Sequence, residues 1–288
     1  MASERREIVI PVRPWFRDHC FDGRIVLAAV EAMQLLAVTV QAAYPHREVG
    51  GMRSGRFARL LAISPEATGI DALVELERGE HGGIRARLLT RAQGKVMTRL
   101  VSHCELTFAA DLNLDNGLDN GAIAPCAHAA MDLAAAQVYR ELVLFGPAYR
   151  TLQDRLVLHA DSAWGTVLAP AMDFSPAGPL GSPFPLDGAM HAACVHGQRL
   201  VDFVPFPVGF ASRCVVKPTH AGERYRVQVQ LQARTEDELL YDLCIFDQEE
   251  QVRETVRGLR MRDVSHGRIR PPAWIRAIPT GRSRVGEA

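Results

Sequence analysis

The sequence contains no C-x-x-C pair: its six cysteines, at 20, 104, 126, 194, 214 and 244, are scattered. That excludes the usual zinc-ribbon and thioredoxin-type sites and fits reduced thiols better than a disulfide framework, so no metal site is expected. Net charge is also lacking, because 33 basic and 33 acidic residues cancel. With no long basic stripe interleaved with aromatics in the body of the chain, nucleic acid is not an expected partner. The opening residues MASERREIVI do not follow the charged, apolar, small-residue order of a signal peptide. The one long apolar stretch is too short and interrupted for a membrane span, so the expectation is a cytoplasmic protein without membrane contact. No G-x-S-x-G, H-E-x-x-H, G-x-x-x-x-G-K or G-x-G-x-x-G segment occurs, which removes the usual hydrolase, zinc-protease, nucleotide and Rossmann readings.

What the chain does have is apolar mass, 48% over 288 residues, enough for one large domain or two of ordinary size. From Ala28 on, a run rich in Ala, Leu and Met, free of Gly and Pro until Pro45, predicts a helix apolar on nearly all sides. Such a helix belongs in a core. Just ahead of it stands His19, between Asp18 and Asp22, where the chain crosses from solvent to interior. A histidine there meets a helix N-terminus and a partly dry environment, but it can equally be a hydrogen-bonded structural residue.

Strand-like segments follow at about 55–63, 70–77, 84–91 and 96–108, with Ile84, Ala86 and Leu88 alternating with Arg85 and Arg87. Residues 110–128, rich in Asp, Asn and Gly, read as a linker. The order then recurs: a short helix near 131–142, strands near 151–160 and 163–169, a Pro/Gly-rich loop, and a second apolar helix from about Asp187 to Phe203. Four more strands are expected near 208–216, 225–233, 239–247 and 253–262, the clearest placing Tyr225, Val227, Val229 and Leu231 on one face. Each half is thus an apolar helix plus a curled antiparallel sheet, an α+β pattern that covers both apolar surfaces by wrapping one around the other.

Asp187 stands at the start of the second helix as His19 stands before the first. If the halves pack as a pseudo-dimer with their sheets side by side, base and acid would face one tunnel. His191, four residues on, shares a helical face with Asp187 and could hold it. The plainer alternative is that Asp187 is only the N-cap of its helix. Cys20 is set aside because adjacent residues in an extended segment point to opposite sides. By the same alternation His103 is expected to face solvent.

Three segments carry a resemblance. His19, Gly23 and Ala28 fit H-x-x-x-G-x-x-x-x-P except that alanine replaces the proline; Asp187 and His191 fit D-x-x-x-Q/H fully. The third, G-Y-x-Y-G-P-x-F, survives as Phe145, Gly146, Pro147, Ala148 and Tyr149, without the tyrosine hydroxyl before the glycine; Val204, Pro205 and Phe206 look like a variant of L-P-F. In order and spacing these resemble the dehydratase domain of modular polyketide synthases. The resemblance implies a double hotdog, two tandem hotdog folds that each wrap an antiparallel sheet around a central helix. It divides the chain into an N-terminal hotdog at 1–109, the linker 110–128, a C-terminal hotdog at 129–267 and a basic extension at 268–288.

The resemblance also implies roles. His19 would be the base, placed by Gly23, and Asp187 the acid, supported by His191, Gly146, Pro147 and Tyr149. Backbone N–H groups near Ala28 and Ala29 would stabilise the thioester oxygen. The substrate would be a 3-hydroxyacyl thioester on the phosphopantetheine of an acyl carrier protein or polyketide synthase, with no further cofactor, and there is room for a homodimer. The rival readings are a non-catalytic acyl-binding module and a hotdog thioesterase or isomerase. The arginines at 268, 270, 276, 282 and 284 make the C-terminal extension either a solvated tail or a strip that steers an acidic carrier protein.

Overall fold

The computed structural model describes residues 3–79, 82–93, 98–110, 129–171 and 178–276. Most of the linker predicted at 110–128 and the arginines at 282 and 284 lie outside the described residues. The first half contains β1 (Ser3–Pro11), the short hairpin β2 (Cys20–Phe21) and β3 (Arg24–Ile25), α1 (Ala29–Ala43), β4 (Gly51–Phe57), β5 (Gly69–Arg78), β6 (Ile84–Gln93) and β7 (Thr98–Phe108). The second contains β8 (Met131–Ala134), α2 (Ala135–Glu141), β9 (Leu152–Leu158), β10 (Ser162–Leu168), α3 (Phe184–Gln198), β11 (Phe206–Val215), β12 (Arg224–Arg234), β13 (Glu238–Phe246) and β14 (Val252–Arg262), then a short α4 (Ala273–Arg276).

All strands but β2 and β3 form one 12-stranded sheet in the order β1-β5-β6-β7-β4-β11-β14-β13-β12-β10-β9-β8. β4 pairs antiparallel with β11, with Phe210 opposite Gly55 and Arg213 opposite Met52, so the two half-sheets are continuous across the molecule. Near that seam the Arg213 guanidinium meets Glu254 at 2.6 Å with both side chains buried, which satisfies two charges that could not otherwise stay dry. α1 packs on β5, β6 and β7, and α3 on β9, β10, β12 and β13. Each half is therefore a sheet curled around its own helix, the double hotdog.

Burial explains both helices. α1 buries Val30, Met33, Leu36, Ala37 and Val40 against its sheet and ends at Tyr44, just before Pro45. In α3 every residue is buried, so the helix is apolar all round and the few polar groups it carries must be accounted for individually. Among the described residues no helix is long and apolar enough to cross a membrane.

Several sequence expectations need correction. β1 was not foreseen; it is an edge strand pairing with β5 along its whole length, from Ser3 opposite Glu77 to Pro11 opposite Gly69. The helix expected at 131–142 is a strand followed by a helix, because Met131–Ala134 pairs with β9. β4 leaves the sheet after Phe57 rather than running to Ile63. His103 is buried, not solvent-facing. The β6–β7 register pairs Leu88 with Cys104 but Leu89 with Ser102, so His103 is the extra residue of a β-bulge. A bulge breaks the alternation on which the outward assignment relied.

Candidate active site

A cavity of about 940 Å3 opens between the two halves, and His19, Asp187 and His191 all line it. His19 follows a 3₁₀ turn, Pro14–Asp18, and precedes the β2–β3 hairpin. That hairpin has the two-residue turn Asp22-Gly23, both with positive φ, +50° and +71°. This is the left-handed pair that a tight antiparallel turn demands, and Asp-Gly adopts it readily. The turn brings Val26 back to His19: the Val26 N–H donates to the His19 carbonyl at 3.0 Å, and the His19 Nδ1 lies 3.0 Å from the Val26 carbonyl oxygen. A carbonyl can only accept, so Nδ1 carries the proton and Nε2 keeps its lone pair. Gly23 thus sets the tautomer of His19 through the hairpin.

The His19 ring is stacked on Phe145 at 4.4 Å between centroids and tilted against Tyr149 at 4.9 Å. This desolvation lowers its pKa below 6.5, against the opposing charge of Asp187. Phe145 and Tyr149 are positioned by the Gly146-Pro147 turn, which is tied directly to the residue before His19. The Gly146 N–H donates to the Asp18 carbonyl at 2.7 Å, and the Ala148 N–H donates to the Asp18 Oδ2 at 2.8 Å. The approach is close enough that a Cβ on Gly146 would stand 2.5 Å from Asp18 Cγ. Glycine is required there for space, and the paired motifs from the two halves form one structural unit.

Asp187 is 5% exposed and sits in the first turn of α3, but the N-cap of that helix is Pro183. The capping alternative is therefore overturned: the helix begins three residues earlier than the sequence suggested, because Pro185 is tolerated in a first turn. His191 approaches with its Nε2 3.0 Å from the Asp187 Oδ2, although the two atoms lack the alignment of a hydrogen bond. The other His191 nitrogen, Nδ1, is 3.2 Å from the Tyr139 hydroxyl, which itself accepts the Leu152 N–H at 2.8 Å. Phe145 packs 5.1 Å from the His191 ring as well as on His19, so one aromatic side chain separates the two histidines.

Two residues of this neighbourhood escaped the sequence reading. Tyr139 fixes His191, yet nothing in its local pattern distinguishes it from a core tyrosine. Glu31, in the first turn of α1, accepts the Trp15 Nε1–H at 2.9 Å; burial pushes it up to about 7, with the Trp15 bond opposing and the charge of Asp187 adding to the rise. A carboxylate in an apolar helical run was the available signal. Ala28, the N-cap of α1, and Ala29, its first residue, stand beside the cavity, and Ala29 lines it. The N–H groups of Ala28 and Ala29 precede every acceptor the helix could offer them.

The cavity mouth carries Arg56, Arg59, Arg260, Arg262 and Arg270. Glu238 holds Arg260 and Arg262, and Asp202 lies 3.6 Å from Arg270. Arg56 and Arg59 are exposed and have no ion-pair partner among the described residues. Past the mouth, Ile275 of α4 is fully buried and Trp274 packs against the core.

The fold is shared with solved dehydratase domains. A trans-AT PKS dehydratase domain from Brevibacillus brevis is 18% identical over 90% of this chain and 93% of that chain, with a TM-score of 0.71. The dehydratase domain from the CurJ module of curacin polyketide synthase is 13% identical over 90% and 91%, TM-score 0.72. That of the polyketide protein PpsC from Mycobacterium tuberculosis is 19% identical over 89% and 92%, TM-score 0.69. No curated protein matches the sequence. The family model described as "Polyketide synthase dehydratase N-terminal domain" matches residues 124–270, just over half of the sequence and including Asp187 and the Gly146-Pro147 turn. The chain belongs to the polyketide synthase dehydratase family.

Proposed function

We propose that the protein removes water from a 3-hydroxyacyl thioester carried on an acyl carrier protein, leaving an α,β-unsaturated thioester. One observation carries this reading: a histidine with a free Nε2 lone pair and a buried aspartic acid, supplied by opposite halves, line the same cavity. Elimination needs a base at C2 and an acid at the C3 oxygen, because hydroxide is a poor leaving group and the C2 proton is weakly acidic. His19 Nε2 takes the C2 proton. Asp187 gives its proton to the C3 hydroxyl, which departs as water, and the electron pair of the broken C–H bond becomes the new double bond. As the C2 proton leaves, negative charge grows on the thioester oxygen, and the amides of Ala28 and Ala29 at the start of α1 stabilise it. His19 has gained one proton and Asp187 has lost one, so a single transfer between them resets the site. The reaction moves no electrons between molecules, and the reading calls for no redox cofactor.

Delivery on a carrier protein is supported by the open mouth and by Arg56 and Arg59 on its rim, which have no ion-pair partner among the described residues and suit an acidic partner bearing a phosphopantetheine arm. Mass spectrometry of a 3-hydroxyacyl carrier protein incubated with the enzyme is expected to show loss of one water. Release of a free acid, or an unchanged mass, would replace this reading.

The lowered pKa of His19 fixes the direction of the pH dependence. The base works only when Nε2 is unprotonated, so the acid limb of kcat/KM is expected to have its midpoint below pH 6.5. A midpoint at or above 6.5, with chemistry rate-limiting, would remove His19 from the role of base. The C-terminal arginines make a separate expectation. A chain ending at Arg276, which keeps the buried Ile275, should turn over a small thioester mimic like the parent. With carrier-bound substrate it should show a lower kcat/KM, the loss shrinking at high salt. Equal rates on the carrier at low salt would make the tail a solvated extension.

A further inference from the structure

Tyr149 is fully buried, and its hydroxyl has no hydrogen-bond partner among the described residues. An unpaired buried hydroxyl is destabilising, and phenylalanine would fill the same space without that cost. The ring is held firmly: it stands 4.9 Å from His19 and 5.5 Å from Phe184, and its own N–H is bonded to the Gly146 carbonyl at 3.1 Å. Phe184 and Asp187 are three residues apart on α3 and share a face, so Tyr149 packs on the part of the helix that presents the acid.

The ionisable groups that act on the phenol all carry carboxyl groups. Burial first holds its pKa well above 10, and Glu31, Asp187 and Asp18 add to the rise when they are ionised. It therefore keeps its proton, as a donor, at any working pH. Two of the three carboxylates already have donors. Asp18 Oδ2 accepts the Ala148 N–H at 2.8 Å, and Glu31 Oε1 accepts the Trp15 N–H at 2.9 Å. Asp187 Oδ2 has none in hydrogen-bond alignment.

We propose that Tyr149 turns its O–H toward Asp187 as that group becomes a carboxylate during loss of the C3 hydroxyl, and so stabilises the charge that appears in the elimination step. A donor left idle in the resting site and engaged only when charge develops stabilises the transition state without tightening substrate binding. Tyr149 acts through Asp187 and not on the substrate, and the inference rests on the dehydration reading.

The test compares the full-length parent with Tyr149→Phe in two reactions. One is water loss from the 3-hydroxyacyl thioester. The other is exchange of the C2 proton of the corresponding saturated acyl thioester in deuterium oxide, which uses His19 and has no leaving group. Tyr149→Phe is expected to lower kcat for water loss by roughly 10-fold or more, the usual scale for a hydrogen bond to a charged group. KM and C2 exchange should stay within about twofold of the parent, and Tm should be equal or higher because the unpaired hydroxyl is gone. Unchanged kcat overturns the proposal. A parallel fall in water loss and exchange also overturns it, since the ring would then serve only to hold His19. A parent that exchanges the C2 proton but loses no water would instead count against the dehydration reading itself.

Discussion

His19→Ala and Asp187→Asn are each expected to lower water loss by about 10³-fold, within the range that separates a reaction with a positioned acid or base from one without it. Stability should move far less, by about 1–2 kcal/mol. Removing the His19 ring opens a gap beside Phe145, while Asn at position 187 keeps the size of the side chain. The structure sharpens the second variant. Were Asp187 the N-cap of α3, asparagine would preserve the cap and the variant would be nearly silent. Because the cap is Pro183, asparagine has no capping function to conserve, and what it removes is the proton the leaving hydroxyl needs. The double variant should lose little beyond the single ones, since base and acid serve one elimination and their effects do not add. Full activity in either single variant, measured in single-turnover conditions on carrier-bound substrate, would remove that residue from the mechanism.

Features that depend on local chemistry were legible in the sequence. The alternation of Tyr225, Val227, Val229 and Leu231 corresponds to β12, and the capless apolar run after Ala28 to α1. Asp22-Gly23 is another such feature, because its residues almost dictate a left-handed turn. What depends on distant partners was not legible. β1 is amphipathic enough to be a strand, but its place is set by β5, about 65 residues away in sequence. The bulge at His103 is invisible to a period-two reading, because one inserted residue shifts every side chain after it to the other face. The two site residues missed, Tyr139 and Glu31, gain their significance only from neighbours across the fold, His191 and Trp15. The same limit applied to the Gly146-Pro147 turn: the motif could be recognised, but that it grips Asp18 and thereby His19 required the folded chain.

That grip leads to the second large effect. Gly146→Ala is expected to lower water loss by about 10²-fold, the scale of a displacement near 1 Å at a reacting group. The added methyl would lie 2.5 Å from both Cγ and Oδ1 of Asp18 and 2.6 Å from its Cβ. Contacts that include the root of a short side chain cannot be relieved by turning its tip, so the backbone of residue 18 must shift. Asp18 precedes His19 directly, and its carbonyl and carboxylate are the two acceptors that dock the turn. Moving them displaces Phe145 and Tyr149 from the faces of the His19 ring. Overpacking of this kind costs about 1–3 kcal/mol, so a lowered Tm should accompany the loss of activity. The pattern of loss distinguishes this variant from Tyr149→Phe. A displaced His19 should slow C2 exchange and water loss together, whereas a missing phenol hydroxyl should slow water loss alone. If Gly146→Ala keeps parental exchange and turnover, the turn does not position the base, and the contact between the two motifs is packing and nothing more.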